Sequence, residues 1–303
     1  MYVHNDSIKS KRRHSFQMLF LMIAVLMLIT ACGETQKPGS TANSSAGSTT
    51  EQQAAPGGSA NSDAEEAEEN NEQNNASPQE ETDPVQEQLD QLSLDEKIGQ
   101  MILAGVQGTA LDDQAKQMIA NQKVGGIIFY GNNVTTLQGT ADFVQSIKEA
   151  NRVNPVPIFM SVDQEGGKVS RMPDEVESIP SNGTVGATKD AELAETMGKL
   201  LARQIQLAGF NVDFAPVLDV NSNPNNPVIG DRSFGSSAEL VSRLGVAEMK
   251  GLRSERMIPV VKHFPGHGDT SVDSHLDLPV VNKTEKQLGE LEWIPFQAAV
   301  KEH

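Results

Sequence analysis

The sequence is poor in cysteine, and its single thiol, Cys32, rules out an intramolecular disulfide. It is short of apolar residues too, at 37%, below the usual share for a compact domain. The deficit is local. Between Gly33 and Pro84 there is no aromatic side chain and no hydrophobic period. Positive charge is also scarce, and the formal net charge is -17. Glu34 to Asp83 alone carries eleven acidic residues against one lysine, Lys37. The acidity therefore belongs to a tail more than to a fold, and it argues against nucleic acid as a partner. No Gly-x-Gly-x-x-Gly follows the first predicted strand, which counts against a dinucleotide fold.

The position of the one cysteine is informative. Lys9, Lys11, Arg12 and Arg13 precede an apolar run from Phe16 to Ile29, of signal-peptide length and short for a membrane span. The run ends Leu28-Ile29-Thr30-Ala31-Cys32, which resembles a bacterial lipobox. On that reading residues 1–31 are a lipoprotein signal peptide, and the Cys32 sulfur receives a diacylglyceryl group. An ordinary signal peptide with an incidental cysteine is the alternative. Lipidated Cys32 would hold the chain on the extracellular face of a bacterial cell membrane. Residues 32–84 read as a disordered acidic tether, rich in Ser, Gly, Asn and Glu and kept extended by like charges.

From about Val85 the pattern changes. Ser93-Leu94-Asp95-Glu96 is a capping box that opens a short helix through Ile98. Apolar runs of strand length follow at Met101–Ala104, Val124–Phe129, Pro157–Val162, Asn211–Ala215 and Ile258–Val261. Amphipathic stretches alternate with them: Asp112–Asn121, Thr136–Ala150, Ala191–Ala208, Ala238–Ser254 and Thr284–Glu302. Such alternation predicts parallel β/α architecture, and both a doubly wound sheet and a barrel fit it. The strand ends favour the barrel. Val162 runs into Asp163-Gln164-Glu165, the fourth strand leads to Asp219 and Asp231-Arg232, and Val261 runs into Lys262-His263. In a barrel these ends share one face, and that face carries the site. Five β/α units are visible before His303, whereas a closed (β/α)8 barrel takes eight. The expectation is a partial barrel over residues 85–303, truncated, with an open edge that lowers solubility.

The densest polar stretch is Lys262 to His275, with three of the six histidines. Gly266 and Gly268 mark it as a loop with turns closed to other residues. Asp273 and His275 are two apart, so in an extended segment both side chains point the same way. A carboxylate there can fix the imidazole tautomer for a group that gives and then takes a proton near neutral pH. Taken alone, the pair also fits a solvated loop. A zinc site from His263, His267 and His275 with Asp269 or Asp273 is disfavoured, because the spacing matches no common pattern and Lys262 repels a cation. Asp163 can accept hydroxyl hydrogen bonds, and Arg171, Arg232 and Lys262 can donate to hydroxyl or carbonyl oxygens. One acid ringed by donors suits a sugar, and structural ion pairs at strand ends are the alternative. Asp231 is placed to pin its neighbour Arg232.

Together these segments resemble glycoside hydrolase family 3, in its β-N-acetylhexosaminidase branch. The marks are Leu94-Asp95-Glu96-Lys97-Ile98-Gly99-Gln100, Val162-Asp163-Gln164-Glu165-Gly166-Gly167, Asp231-Arg232-Ser233-Phe234-Gly235 and Lys262-His263-Phe264-Pro265-Gly266-His267-Gly268, followed by Asp273-Ser274-His275 and Leu278-Pro279. The resemblance covers about Leu92 to His303. It implies a (β/α)8 barrel and removal of terminal N-acetylglucosamine from cell-wall muropeptide sugars, by a retaining mechanism with no cofactor or metal. It implies substrate contacts from Asp163, Arg171, Arg232, Lys262 and His263, His275 as acid/base and Asp273 as its partner. Retaining glycosidases normally use two carboxylates, so a histidine in this role is unusual. It would also tolerate phosphate as acceptor. The family's nucleophile is an aspartate on a later strand, and no aspartate here matches it, so a non-catalytic sugar-binding lipoprotein is a second reading. The partners implied are N-acetylglucosamine-containing glycans and, through Cys32, a membrane; a monomer is expected. A solute-binding lipoprotein would need a second α/β lobe, which the pattern lacks.

Overall fold

The computed structural model describes residues 83–271 and 278–302, all within one compact unit, Ser77–His303. Cys32, Asp273 and His275 lie outside the described residues, as do the signal segment and nearly all of the tether.

Five short strands form one sheet: β1 Leu103–Gly105, β2 Gly126–Phe129, β3 Phe159–Val162, β4 Val212–Asp213 and β5 Ile258–Pro259. They lie in the order β1-β2-β3-β4-β5, and every pair is parallel. This order settles what the hydrophobic pattern left open. A doubly wound sheet reverses strand order at a switch point, whereas a barrel adds each strand beside the last. The strands are shorter than the apolar runs that predict them, because only part of each run meets a partner.

Nine helices occur among the described residues. The first, α1 (Pro84–Gln91), is capped by Asp83, whose side chain accepts from the Val85 N–H. It has no hydrophobic run to announce it, and none of its residues is buried. Helix α2 (Leu94–Gln100) carries the capping box: Ser93 Oγ accepts from the Glu96 N–H, and Glu96 accepts from the Ser93 N–H. Helices α3 (Asp113–Gln122), α4 (Leu137–Ala150), α6 (Ala191–Leu207) and α7 (Ala238–Ser254) match the predicted amphipathic stretches within two residues. Helix α5 (Asn182–Thr188) was not predicted; it is short and opens at Ser181.

One prediction needs correction. The single helix expected over Thr284–Glu302 is two, α8 (Glu285–Gly289) and α9 (Trp293–Lys301). Pro295 explains the break. In a continuous helix its ring would clash with the carbonyl of Leu291, and its missing N–H would leave that carbonyl unpaired.

The core lies between sheet and helices. Phe129 sits at its centre, 4.8 Å from the ring of Phe143 and edge-on to Phe210 at 5.3 Å. Ile127, Met160, Leu201, Ile205, Leu244 and Leu252 are fully buried around it, and each side chain of this size stabilises by about 1.5–3 kcal/mol. Helices α6 and α7 pack closely through small residues. A Cβ on Gly198 would meet the Glu248 carbonyl oxygen at 2.2 Å, and one on Gly251 the Glu195 carbonyl oxygen at 2.1 Å.

Candidate active site

The C-terminal ends of β3, β4 and β5 deliver the polar residues to one place. A cavity of about 350 Å3 opens there, within the usual size range for small-ligand sites. Tyr130, Asp163, Glu165, Arg171, Arg232, Lys262, His263 and His267 contribute to its wall. All five substrate-binding residues expected from sequence thus meet in one cavity, although Arg171 and Arg232 come from loops far from β5.

Their bonds form a chain. Lys262 Nζ lies 2.5 Å from Asp163 Oδ1 and 2.6 Å from Glu165 Oε1. Arg232 grips the same Glu165 with both ends of its fork: Nε donates to Oε2 and Nη2 to Oε1, each at 2.7 Å. Such a bidentate pair fixes the guanidinium plane as well as its position. Arg232 Nη2 also lies 3.2 Å from His263 Nε2, and His263 Nδ1 lies 2.6 Å from Asp219 Oδ2. Both His263 nitrogens are therefore engaged.

Glu165 is the hub, and its side chain is only 2% exposed. Burial pushes its carboxyl up, but hydrogen bonds and charge from Arg232 and Lys262 outweigh this and hold it below its ordinary value. Glu165 stands in the motif Val162-Asp163-Gln164-Glu165-Gly166-Gly167, which by itself assigns it no role. The signal was present: an acid two residues from Asp163 in a segment rich in turns.

The expectation that Asp231 pins Arg232 is not met. Asp231 faces Lys168 at 3.6 Å, and Glu165 takes Arg232 instead. Adjacent residues in the single helical turn Gly230–Arg232 point in different directions, so neighbours in sequence rarely pair. Gly268 also needs a different account. Its backbone requires no left-handed angle, but a Cβ there would lie 1.8 Å from the Val220 carbonyl oxygen, whereas Gly266 does take a positive φ of 127°. The loop from His263 to Thr270 packs tightly: the Asn226 amide donates to the His267 carbonyl at 2.8 Å, and Thr270 Oγ1 sits 2.5 Å from His267 Nδ1.

Arg171 is held by its backbone, its N–H donating to Gln164 Oε1 at 2.8 Å. Its Nε is buried without a hydrogen-bond partner. The Arg171 side chain contributes to the cavity wall, and a guanidinium there can donate to a ligand acceptor. Two further acids lie beneath. Asp213 accepts from the Gln164 N–H with one oxygen and has no partner for the other, and neither Glu248 oxygen has one. Burial pushes both carboxyls well above their ordinary values.

Comparison with known proteins gives this arrangement a family. The description Glycosyl hydrolase family 3 N terminal domain matches residues 93–303. Beta-hexosaminidase A of Pseudoalteromonas piscicida is 35% identical over 199 residues, which are 64% of this chain and 33% of that protein. Beta-hexosaminidase LpqI of Mycobacterium tuberculosis is 37% identical over 187 residues, 61% of this chain and 46% of its own. The solved glycoside hydrolase family 3 β-N-acetylglucosaminidase from Paenibacillus sp. str. FPU-7 superposes with a TM-score of 0.67 at 40% identity, over 70% of this chain and 40% of its own. The chain spans between 33% and 60% of the length of the curated relatives it matches. The consecutive parallel strands belong to a barrel of the TIM type, and the chain belongs to glycosyl hydrolase family 3 through its N-terminal domain.

Proposed function

We propose that the chain is the sugar-binding barrel of a retaining β-N-acetylhexosaminidase that removes terminal non-reducing N-acetylglucosamine, with cell-wall muropeptide sugars as its source. The observation that carries this reading is the cavity in which Asp163, Arg171, Arg232, Lys262 and His263 converge. A carboxylate flanked by cations offers acceptors and donors together, as vicinal hydroxyls and an acetamide require. Relatives bearing the name beta-hexosaminidase support the choice of sugar.

His275 is proposed as the acid/base. An imidazole changes charge near neutral pH and can protonate the leaving oxygen, then deprotonate the incoming water. Asp273 is proposed to orient it. Sugar binding and hydrolysis are separate tests. Titration calorimetry with N-acetylglucosamine tests binding by the chain; no heat and no thermal shift would remove the sugar site. Hydrolysis of a chromogenic N-acetylglucosaminide by the gene product, with and without His275→Ala, tests the proton role. Unchanged turnover in the variant would refute it.

The chain is further proposed to be lipid-anchored at Cys32, on the outer face of a bacterial membrane. The run Leu28-Ile29-Thr30-Ala31-Cys32 supports this. Growth with a clickable palmitate analogue should label the wild-type chain and leave Cys32→Ser unlabelled. Equal labelling would refute the anchor.

A further inference from the structure

Asp219 follows β4, is fully buried and is not among the residues that wall the cavity. Yet it holds that wall from behind at two points. Its Oδ2 meets His263 Nδ1 at 2.6 Å, and its Oδ1 accepts from the His267 backbone N–H at 2.6 Å. Its own carbonyl accepts from Ser233 Oγ, also at 2.6 Å, beside Arg232.

These contacts have a direction. A carboxylate has no proton to donate, so the His263 proton sits on Nδ1. Nε2 is then a bare lone pair, and Arg232 Nη2 donates to it at 3.2 Å. The opposite tautomer would set N–H against N–H and push the guanidinium away. We infer that Asp219 is a positioning residue: through the His263 tautomer it holds Arg232 in place at the cavity, and through the His267 N–H it sets the turn that carries both histidines. The geometry stands on its own, and its consequence for sugar binding rests on the function proposed above.

An isosteric amide cannot replace this carboxylate. Both oxygens face N–H donors, and asparagine brings an NH2 to one of them. Either the His267 N–H loses its acceptor, or the His263 ring takes the other tautomer and repels Arg232.

Nitrogen-15 NMR of the histidine rings in the whole chain reads the tautomer directly, with the His263 signals assigned by their loss in His263→Gln. The expected wild-type state is protonated Nδ1 and bare Nε2. In Asp219→Asn either the His263 ring pattern or the His267 amide signal should change, and affinity for N-acetylglucosamine by calorimetry should fall by roughly tenfold or more. A wild-type His263 protonated on Nε2 would overturn the inference, and this decides it even where Asp219→Asn does not fold. A folded Asp219→Asn with unchanged affinity would also overturn it. Lost affinity with the His263 ring and the His267 amide both unchanged would overturn the positioning route. Absence of sugar binding by wild type would instead refute the proposed function, while the tautomer still reports on Asp219.

Discussion

Glu165 sits between two cations, and removing its charge is the sharpest perturbation of the site. In Glu165→Gln the side chain keeps its length but presents one NH2 toward the Arg232 fork. Lys262 then keeps only Asp163 as an acid partner and Arg232 keeps no ion pair, although their side chains are only 11% and 13% exposed. Breaking a buried ion pair from one side costs about 3–5 kcal/mol, because the remaining charge stays buried and uncompensated. In a folded region of this size each kcal/mol lowers the melting temperature by roughly 2–4 °C, so the expected drop is about 6–20 °C. Differential scanning calorimetry at neutral pH measures it. The loss should be smaller at low pH. The folded carboxyl of Glu165 lies below its ordinary value, so its contribution is present above the unfolded value of about 4.3 and fades as pH falls through the folded value. Adding Lys262→Met should recover part of the loss, since one orphaned cation is gone, and neighbours in one network typically couple by about 0.5–3 kcal/mol. A drop of under 2 °C at neutral pH, or full additivity in the double variant, would refute the view of Glu165 as the hub.

Glu248 is the opposite case: burial pushes its carboxyl up, so its native form holds a proton that the unfolded chain releases, and stability falls as pH rises from about 4.3 toward the folded value. Glu248→Met should raise neutral-pH stability by about 1–3 kcal/mol by removing unsatisfied oxygens, and should flatten that slope in urea titrations across pH; a destabilised variant would contradict the argument. Gly268→Ala should destabilise by about 1–3 kcal/mol, because the Val220 carbonyl oxygen leaves no room for a methyl group, and an unchanged melting temperature would show that the loop yields freely. Lys283 bridges Asp269 at 2.8 Å to the buried Glu292. Lys283→Met should therefore cost about 3–5 kcal/mol and speed amide exchange in the His263–Thr270 loop, and protection equal to wild type would refute the bracing role.

The helices and strand positions were legible because they rest on local physics. Ser93 with Glu96 reads as a cap from sequence and forms one, and the period of Ala191–Leu207 buries Leu201, Ala202 and Ile205. The five cavity residues were legible because each follows a strand or sits in a recognisable motif. What was not legible is who pairs with whom. Arg232 reaches Glu165 across 67 positions and Lys262 reaches Asp163 across 99, and no local pattern encodes a partner at that range. Asp231 looked like the natural mate of Arg232 and is not. Asp219 was hidden for a further reason. It sits behind the wall of the cavity, and its importance lies in a tautomer that only two simultaneous hydrogen bonds reveal.

The charge balance of the cluster bears on what the cavity can hold. Asp163 and Glu165 face Lys262 and Arg232, so two negative charges meet two positive ones. Asp213 and Glu248 would add two more negative charges if ionised, but burial pushes both carboxyls well above their ordinary values and works against that. The first four charges balance, and Arg171 adds one further positive charge to the cavity wall. With most of its charge paired internally, the cluster leaves selection largely to the placement of individual donors and acceptors. Arg171 supplies a further donor in the cavity wall. An uncharged polyhydroxyl ring needs such directed contacts and no compensating charge, whereas a ligand that drew Lys262 or Arg232 away from Glu165 would leave that carboxylate buried and short of a partner.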